Sequence, residues 1–245
     1  MNELYPLPQK SSSPKESQLS LFSLSFIAIF TIIMWHFIPF GKSILYPFVI
    51  LGTWFHEMGH GIFALLLGAN FEYLQIFSNG SGVAYYSGDV FFGRIGRALI
   101  AFAGPIAPSI IGYFFIVASK NLNSSRKIML IFSIILAICD IIWVRSMFGF
   151  IFIMVFAVIF FIASLYGGKQ LNKFLCQFIG IQAFLSLYLS IDYLFSSKGT
   201  TEAGTYYSDT FVMEQMLFLP HYIWATFIVL FSLVLIYRSF RKVMK

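Results

Sequence analysis

The chain has 245 residues, 59% of them hydrophobic and only 11% charged, with a mean hydropathy of +0.83 and a net charge of +6. Soluble domains carry about a quarter charged residues, so this composition, with apolar runs recurring from Leu19 to Tyr237, excludes a soluble enzyme and predicts an all-α polytopic membrane protein. The positive charge does not point to nucleic acid, because Arg238, Arg241, Lys242 and Lys245 crowd the C-terminal tail, where they read as an anchor at a lipid bilayer surface.

Residues 1–18 are polar and rich in Pro and Ser, and are expected to form a disordered tail ahead of a single membrane-embedded domain, 19–245. Seven apolar stretches follow, roughly 19–40, 44–68, 95–119, 127–144, 147–166, 174–195 and 217–238. The fourth is short, so six or seven transmembrane helices are expected. With seven spans, ten Lys and Arg lie on the side of the C-terminus and six on the other. That bias predicts a multi-pass protein with a cytoplasmic C-terminus. Cys139 and Cys176 both fall in apolar segments, which argues against a disulfide framework.

One connection breaks the helical pattern. The segment "FEYLQIFSNGSGVAYYSG" alternates apolar and polar residues on either side of Asn79-Gly80, the signature of a β-hairpin over about 71–87. It directly follows the second apolar stretch and is expected at the membrane surface with an edge strand to offer.

That second stretch contains "TWFHEMGHGIFALLLG". His56-Glu57-Met58-Gly59-His60 is an H-E-x-x-H pattern, and on a helix His56 and His60 share a face from which both imidazoles reach one metal ion. Glu57 stands beside that face and suits a general base acting on water. Two nitrogens plus a carboxylate oxygen suit zinc, one ion per chain, with one position left open. An ionisable Glu within a membrane segment costs about 2.5–3.5 kcal/mol by insertion scales, and such residues mark function.

The third ligand is less legible. Asp89 lies in a polar loop, whereas Asp140 in "LAICDIIWVRS", Asp192 in "LSIDYLF" and Asp209 in "YYSDTF" all border apolar helices. Spacing does not choose among the last three. His36 ends the first apolar stretch and reads as an interfacial side chain; His221 follows Pro220 at the start of the last one and reads as an oxyanion donor, a ligand or a helix-end residue.

The blocks "HEMGHGIFALLLG", "LQIFSNGSGVAYYS", "RALIAFAGPIAPSIIGY", "VRSMFG" and "SDTFVMEQMLFLPHYIW" occur in an order that resembles a compact branch of the site-2 protease-like membrane zinc metallopeptidases, without a PDZ domain. The resemblance implies His56 and His60 as zinc ligands, Glu57 as the catalytic glutamate and Asp209 as the third ligand, with Asp140 and Asp192 the alternatives. It leaves oxyanion or supporting roles to Arg145, His221 and Ser208. Arg145-Ser146 stands where the branch has Arg-Asn, Thr210 replaces an Ala, and the Asn-Pro…Leu-Asp-Gly segment of the larger members is missing. The implied activity is intramembrane proteolysis of a membrane protein substrate at a bacterial plasma membrane. A non-proteolytic adaptor with a structural or degenerate zinc site is the rival expectation, favoured if a fourth protein ligand such as His221 closes the site.

Overall fold

In the computed structural model, which describes residues 14–244, the chain is mainly helical. Helix α1 (Pro14–Phe37) begins inside the stretch expected to be a disordered tail; the rest of that stretch lies outside the described residues. A left-handed Phe40 (φ 62°) turns the chain into α2 (Gly41–Leu66). There follow β1 (Asn70–Ile76), β2 (Gly82–Ser87), α3 (Arg94–Ala118), α4 (Leu122–Trp143), α5 (Met147–Tyr166), α6 (Lys169–Leu189) and the short α7 (Ile191–Leu194). A second hairpin, β3 (Lys198–Thr201) and β4 (Gly204–Tyr207), then leads into α8 (Asp209–Leu217) and α9 (His221–Met244).

Helix ends follow their local chemistry. The Asn121 side chain accepts hydrogen bonds from the Asn123 and Ser124 amides at 2.8 and 3.2 Å and starts α4. Ser208 does the same for α8 through the Phe211 amide at 3.3 Å. At the other end of α4, the Arg145 guanidinium donates to the carbonyls of Ile141, Ile142 and Val144, satisfying groups a helix C-terminus leaves free.

Helix α2 is central. Its buried Ile50, Leu51, Trp54, Phe55 and Met58 join one core cluster with residues of α4, α5 and α6, including Phe132, Leu136, Phe156 and Ile179. Its other side meets α3 so closely that a Cβ on Gly59 would stand 2.6 Å from the Ala103 carbonyl oxygen. Outward-facing side chains remain apolar: Ile131, Ile134, Ile138 and Ile141 of α4 and Ile151, Val155, Ile159 and Ile162 of α5 are all exposed. Such continuous apolar faces belong against lipid.

Helices α3, α5 and α9 are long and apolar enough to cross a membrane. They are fewer than the six or seven stretches counted in the sequence. Helices α2, α4 and α6 have comparable length, but polar groups dilute them: the His-Glu pattern in α2, Ser124-Ser125-Arg126-Lys127 in α4, and Lys169, Lys173, Gln177 and Gln182 in α6. The sixth apolar stretch divides into α6 and α7 at Ser190, and the seventh into α8 and α9 at Phe218 (φ 64°) and Pro220.

The first hairpin forms where the alternation placed it. Strands β1 and β2 pair antiparallel from Asn70 opposite Ser87 to Ile76 opposite Gly82, with an irregularity between Phe71 and Tyr73. Residues 144–146 cover the other side of β1. Leu74 forms a parallel bridge with Val144, the Arg145 amide donates to the Leu74 carbonyl at 2.9 Å, and the Ile76 amide donates to Ser146 Oγ at 2.9 Å. Among the described residues no strand pairs with the opposite edge of β2.

Candidate metal centre

The helical spacing of α2 brings His56 and His60 together, with their Nε2 atoms 3.1 Å apart. Asp209, the first residue of α8, closes the triangle. Its Oδ2 lies 3.0 Å from His56 Nε2 and its Oδ1 3.2 Å from His60 Nε2. His60 Nδ1–H donates to the Ile100 carbonyl at 2.8 Å, which fixes the tautomer and aims the Nε2 lone pair at Asp209 and His56.

The donor set fits zinc. Ligand atoms bound tetrahedrally at about 2.0–2.1 Å stand roughly 3.3 Å from one another; the two nitrogens are 3.1 Å apart, and one donor atom from each of the three residues lies within 4.8 Å of the others. Two neutral imidazoles and a carboxylate are also the chemistry zinc takes.

The third helix is shaped around this triangle. A Cβ on Gly104 would fall 2.2 Å from His60 Nε2 and 2.3 Å from its Cε1, so the imidazole occupies the space a side chain would take. Glu57 is buried beside the ligands, at 6% exposure. The first hairpin presses on it: a Cβ on Gly82 would meet Glu57 Cγ at 2.8 Å and Oε1 at 3.0 Å.

A cavity of about 680 Å³ is lined by His56, Glu57, His60 and Asp209. Both hairpins contribute to its wall, through Gly82 and Ala84 on one and Thr200 and Tyr206 on the other. It runs between α1 and α6 to Trp35 and to His36, whose Nε2 meets Tyr188 Oη at 3.2 Å.

The remaining sequence candidates lie elsewhere. Asp140 is fully buried in α4 with neither carboxyl oxygen hydrogen-bonded, and is not among the residues lining the cavity. Asp192 is exposed on α7, and Asp89 is exposed after β2. Among the described residues, only His56, His60 and Asp209 group as metal donors. Arg145 is exposed and does not line the cavity; its guanidinium donates to carbonyls at the end of α4. His221 is engaged as well: its backbone N–H and Nδ1–H both donate to Glu214 Oε2 at 2.7 Å, holding that carboxyl below its usual range. Ser208 is buried, and its Oγ donates to the Ser196 carbonyl, so it shapes the approach to Asp209.

Two features went unforeseen. Tyr193 lines the cavity beside Asp209, and nothing in "SIDYLF" distinguishes it from a packing aromatic. The second hairpin lacks the apolar alternation that revealed the first; all of β4 is exposed.

A family model described as Peptidase M50B-like matches residues 24–239. No curated protein and no solved structure matches the chain. With a helix-borne pair of histidines, an aspartate brought to them from far along the sequence, and a match across most of its length, the chain belongs to the Peptidase M50B-like, site-2 protease-like family of membrane proteins.

Proposed function

We propose that this protein is an intramembrane zinc metalloendopeptidase that hydrolyses peptide bonds in or near membrane segments of other proteins. The observation that carries the reading is the convergence of His56, His60 and Asp209 beside buried Glu57, all four lining one cavity. His56, His60 and Asp209 would hold the zinc, whose Lewis acidity would bring bound water near a pKa of ~7. Glu57 takes a proton from the attacking water on its carboxylate and delivers it to the leaving amine. Ile100 holds His60 in register through its carbonyl. The outer edge of β2 receives the substrate as an added strand, which requires local unwinding of a helical segment, since a helix hides its carbonyls.

In this reading residues 19–245 form one membrane-embedded domain of six or seven spans in a plasma membrane, with the C-terminus cytoplasmic. The partner is a membrane protein within the bilayer, and nucleic acid has no part.

The test is zinc content and proteolysis of the purified protein in proteoliposomes, with solubilised membrane proteins as substrates and new N-termini read by mass spectrometry. Wild type is expected to hold about one zinc per chain and to generate zinc-dependent termini. Glu57→Gln keeps the zinc and loses cleavage. Asp209→Ala loses the zinc, while Asp140→Ala and Asp192→Ala keep it. Cleavage retained in Glu57→Gln would sink the mechanism, and a full complement of zinc in Asp209→Ala would remove the third ligand.

A further inference from the structure

Asp209 is held by more than the helix it begins. Four hydrogen bonds run from residues 208–210 back to the α7 region. The Ser208 amide donates to the Ser197 carbonyl at 3.1 Å, and Ser208 Oγ donates to the Ser196 carbonyl. The Asp209 amide donates to Tyr193 Oη at 3.2 Å, and Thr210 Oγ1 donates to the Leu194 carbonyl at 2.6 Å. Ser208 and Thr210 are fully buried. Three of the four bonds end on main-chain carbonyls and serve the path of the chain. The fourth ends on a side chain that also reaches the donors.

Tyr193 touches two of the three candidate ligands. Its hydroxyl accepts the Asp209 N–H at 3.2 Å. Its ring stands edge-on to His56, with centroids 6.4 Å apart. The ring is fixed from behind by the second hairpin, where a Cβ on Gly199 would meet its Cε2 at 2.5 Å and Cδ2 at 2.7 Å. A phenol locked in this way fixes the main chain from which the Asp209 carboxylate projects.

We propose that Tyr193 is a positioning residue for the metal centre, presenting Asp209 to the ion held by His56 and His60. The inference deepens the metallopeptidase reading and rests on its zinc site. It also gives the second hairpin a purpose, since that hairpin supplies the backstop at Gly199 and joins α7 to Asp209. Groups that orient a metal ligand from outside the coordination sphere are typically worth 10–100-fold in metal affinity.

The experiment uses the full chain in detergent and follows zinc competition against a chromophoric chelator and the visible spectrum of the cobalt-loaded protein. Tyr193→Phe keeps the ring and removes only the hydroxyl. It is expected to weaken zinc about 10–100-fold and to change the cobalt bands, with circular dichroism unaltered. Gly199→Ala keeps every ligand and the hydroxyl but displaces the ring, and is expected to weaken zinc as well. Wild-type zinc affinity and an unchanged cobalt spectrum in Tyr193→Phe would overturn the proposal. A wild-type protein that binds no zinc would instead overturn the metal-centre reading, and this inference with it.

Discussion

Replacing Gly104 by Ala tests how tightly α3 is moulded to the metal centre. The added carbon would sit 2.2 Å from His60 Nε2 and 2.3 Å from Cε1, whereas non-bonded heavy atoms rest at about 3.5 Å or more. The ring or the helix must therefore give by roughly 1.3 Å. Rotation of the ring is resisted by the 2.8 Å bond from His60 Nδ1 to the Ile100 carbonyl. Displacing α3 costs about 1–3 kcal/mol, as overpacking of a core does. Metal–ligand distances tolerate only about 0.2 Å, so either response misplaces a donor by several times the tolerance. Gly104→Ala is expected to fold, to lose modest thermal stability and to lose its zinc by elemental analysis. Gly168→Ala, with nothing within 4 Å of the added carbon, is the control and keeps zinc. Full zinc with wild-type affinity in Gly104→Ala would refute the moulding argument.

The Glu214–His221 contact makes a pH-dependent contribution whose sign is set by the depressed carboxyl. The two N–H donors of His221 hold Glu214 below its ordinary value of 4.5, so its contribution is whole above pH 4.5 and is lost as pH falls through the lower folded value. Thermal midpoints of wild type and Glu214→Gln should therefore differ at neutral pH and converge in acid; a constant gap would contradict this. At the tips of the hairpins, Ser78 Oγ and the Asn79 amide donate to Glu202 Oε1 at 2.7 and 2.9 Å. Glu202→Ala removes about 1 kcal/mol of local hydrogen bonding, and hydrogen exchange at Asn79 should quicken roughly five-fold with the global midpoint unmoved. Unchanged exchange there would mean that the two tips do not hold each other. Asp140 is buried with both oxygens unpartnered, so Asp140→Leu should raise stability, by about 1–3 kcal/mol, without affecting zinc. A destabilised variant would reveal a partner for that carboxyl.

What could be read in the sequence was what a single element decides. His56, Glu57 and His60 fall on one helical turn, so their geometry follows from spacing alone. The first hairpin was legible because its alternating side chains and Asn79-Gly80 turn are local signals. Asp209 was not separable by spacing from Asp140 and Asp192, because which carboxylate meets α2 depends on how the chain returns some 150 residues later. The resemblance pointed to Asp209, and the burial of Asp140 in α4 and the exposure of Asp192 on α7 now give the physical contrast. Arg145 and His221 carried the right chemistry for an oxyanion, but their partners are the end of α4 and Glu214, which no motif encodes. Tyr193 failed to stand out for the same reason: a hydroxyl's role depends on the atom it finally faces.

The two hairpins raise a question of solvation that bears on function. An open strand edge beside lipid is untenable unless it lines a water-filled cavity or is covered by another strand. The outer side of β1 meets this demand through Leu74, Ile76 and residues 144–146. No strand covers the outer edge of β2 among the described residues, and Gly82, Val83, Ala84 and Tyr86 line the same cavity as Glu57. Where its amides and carbonyls lack a protein partner, they call for water, an extended peptide, or both in turn. Those are the two reactants of peptide hydrolysis, and the same backbone edge that must be satisfied lies against the proposed general base.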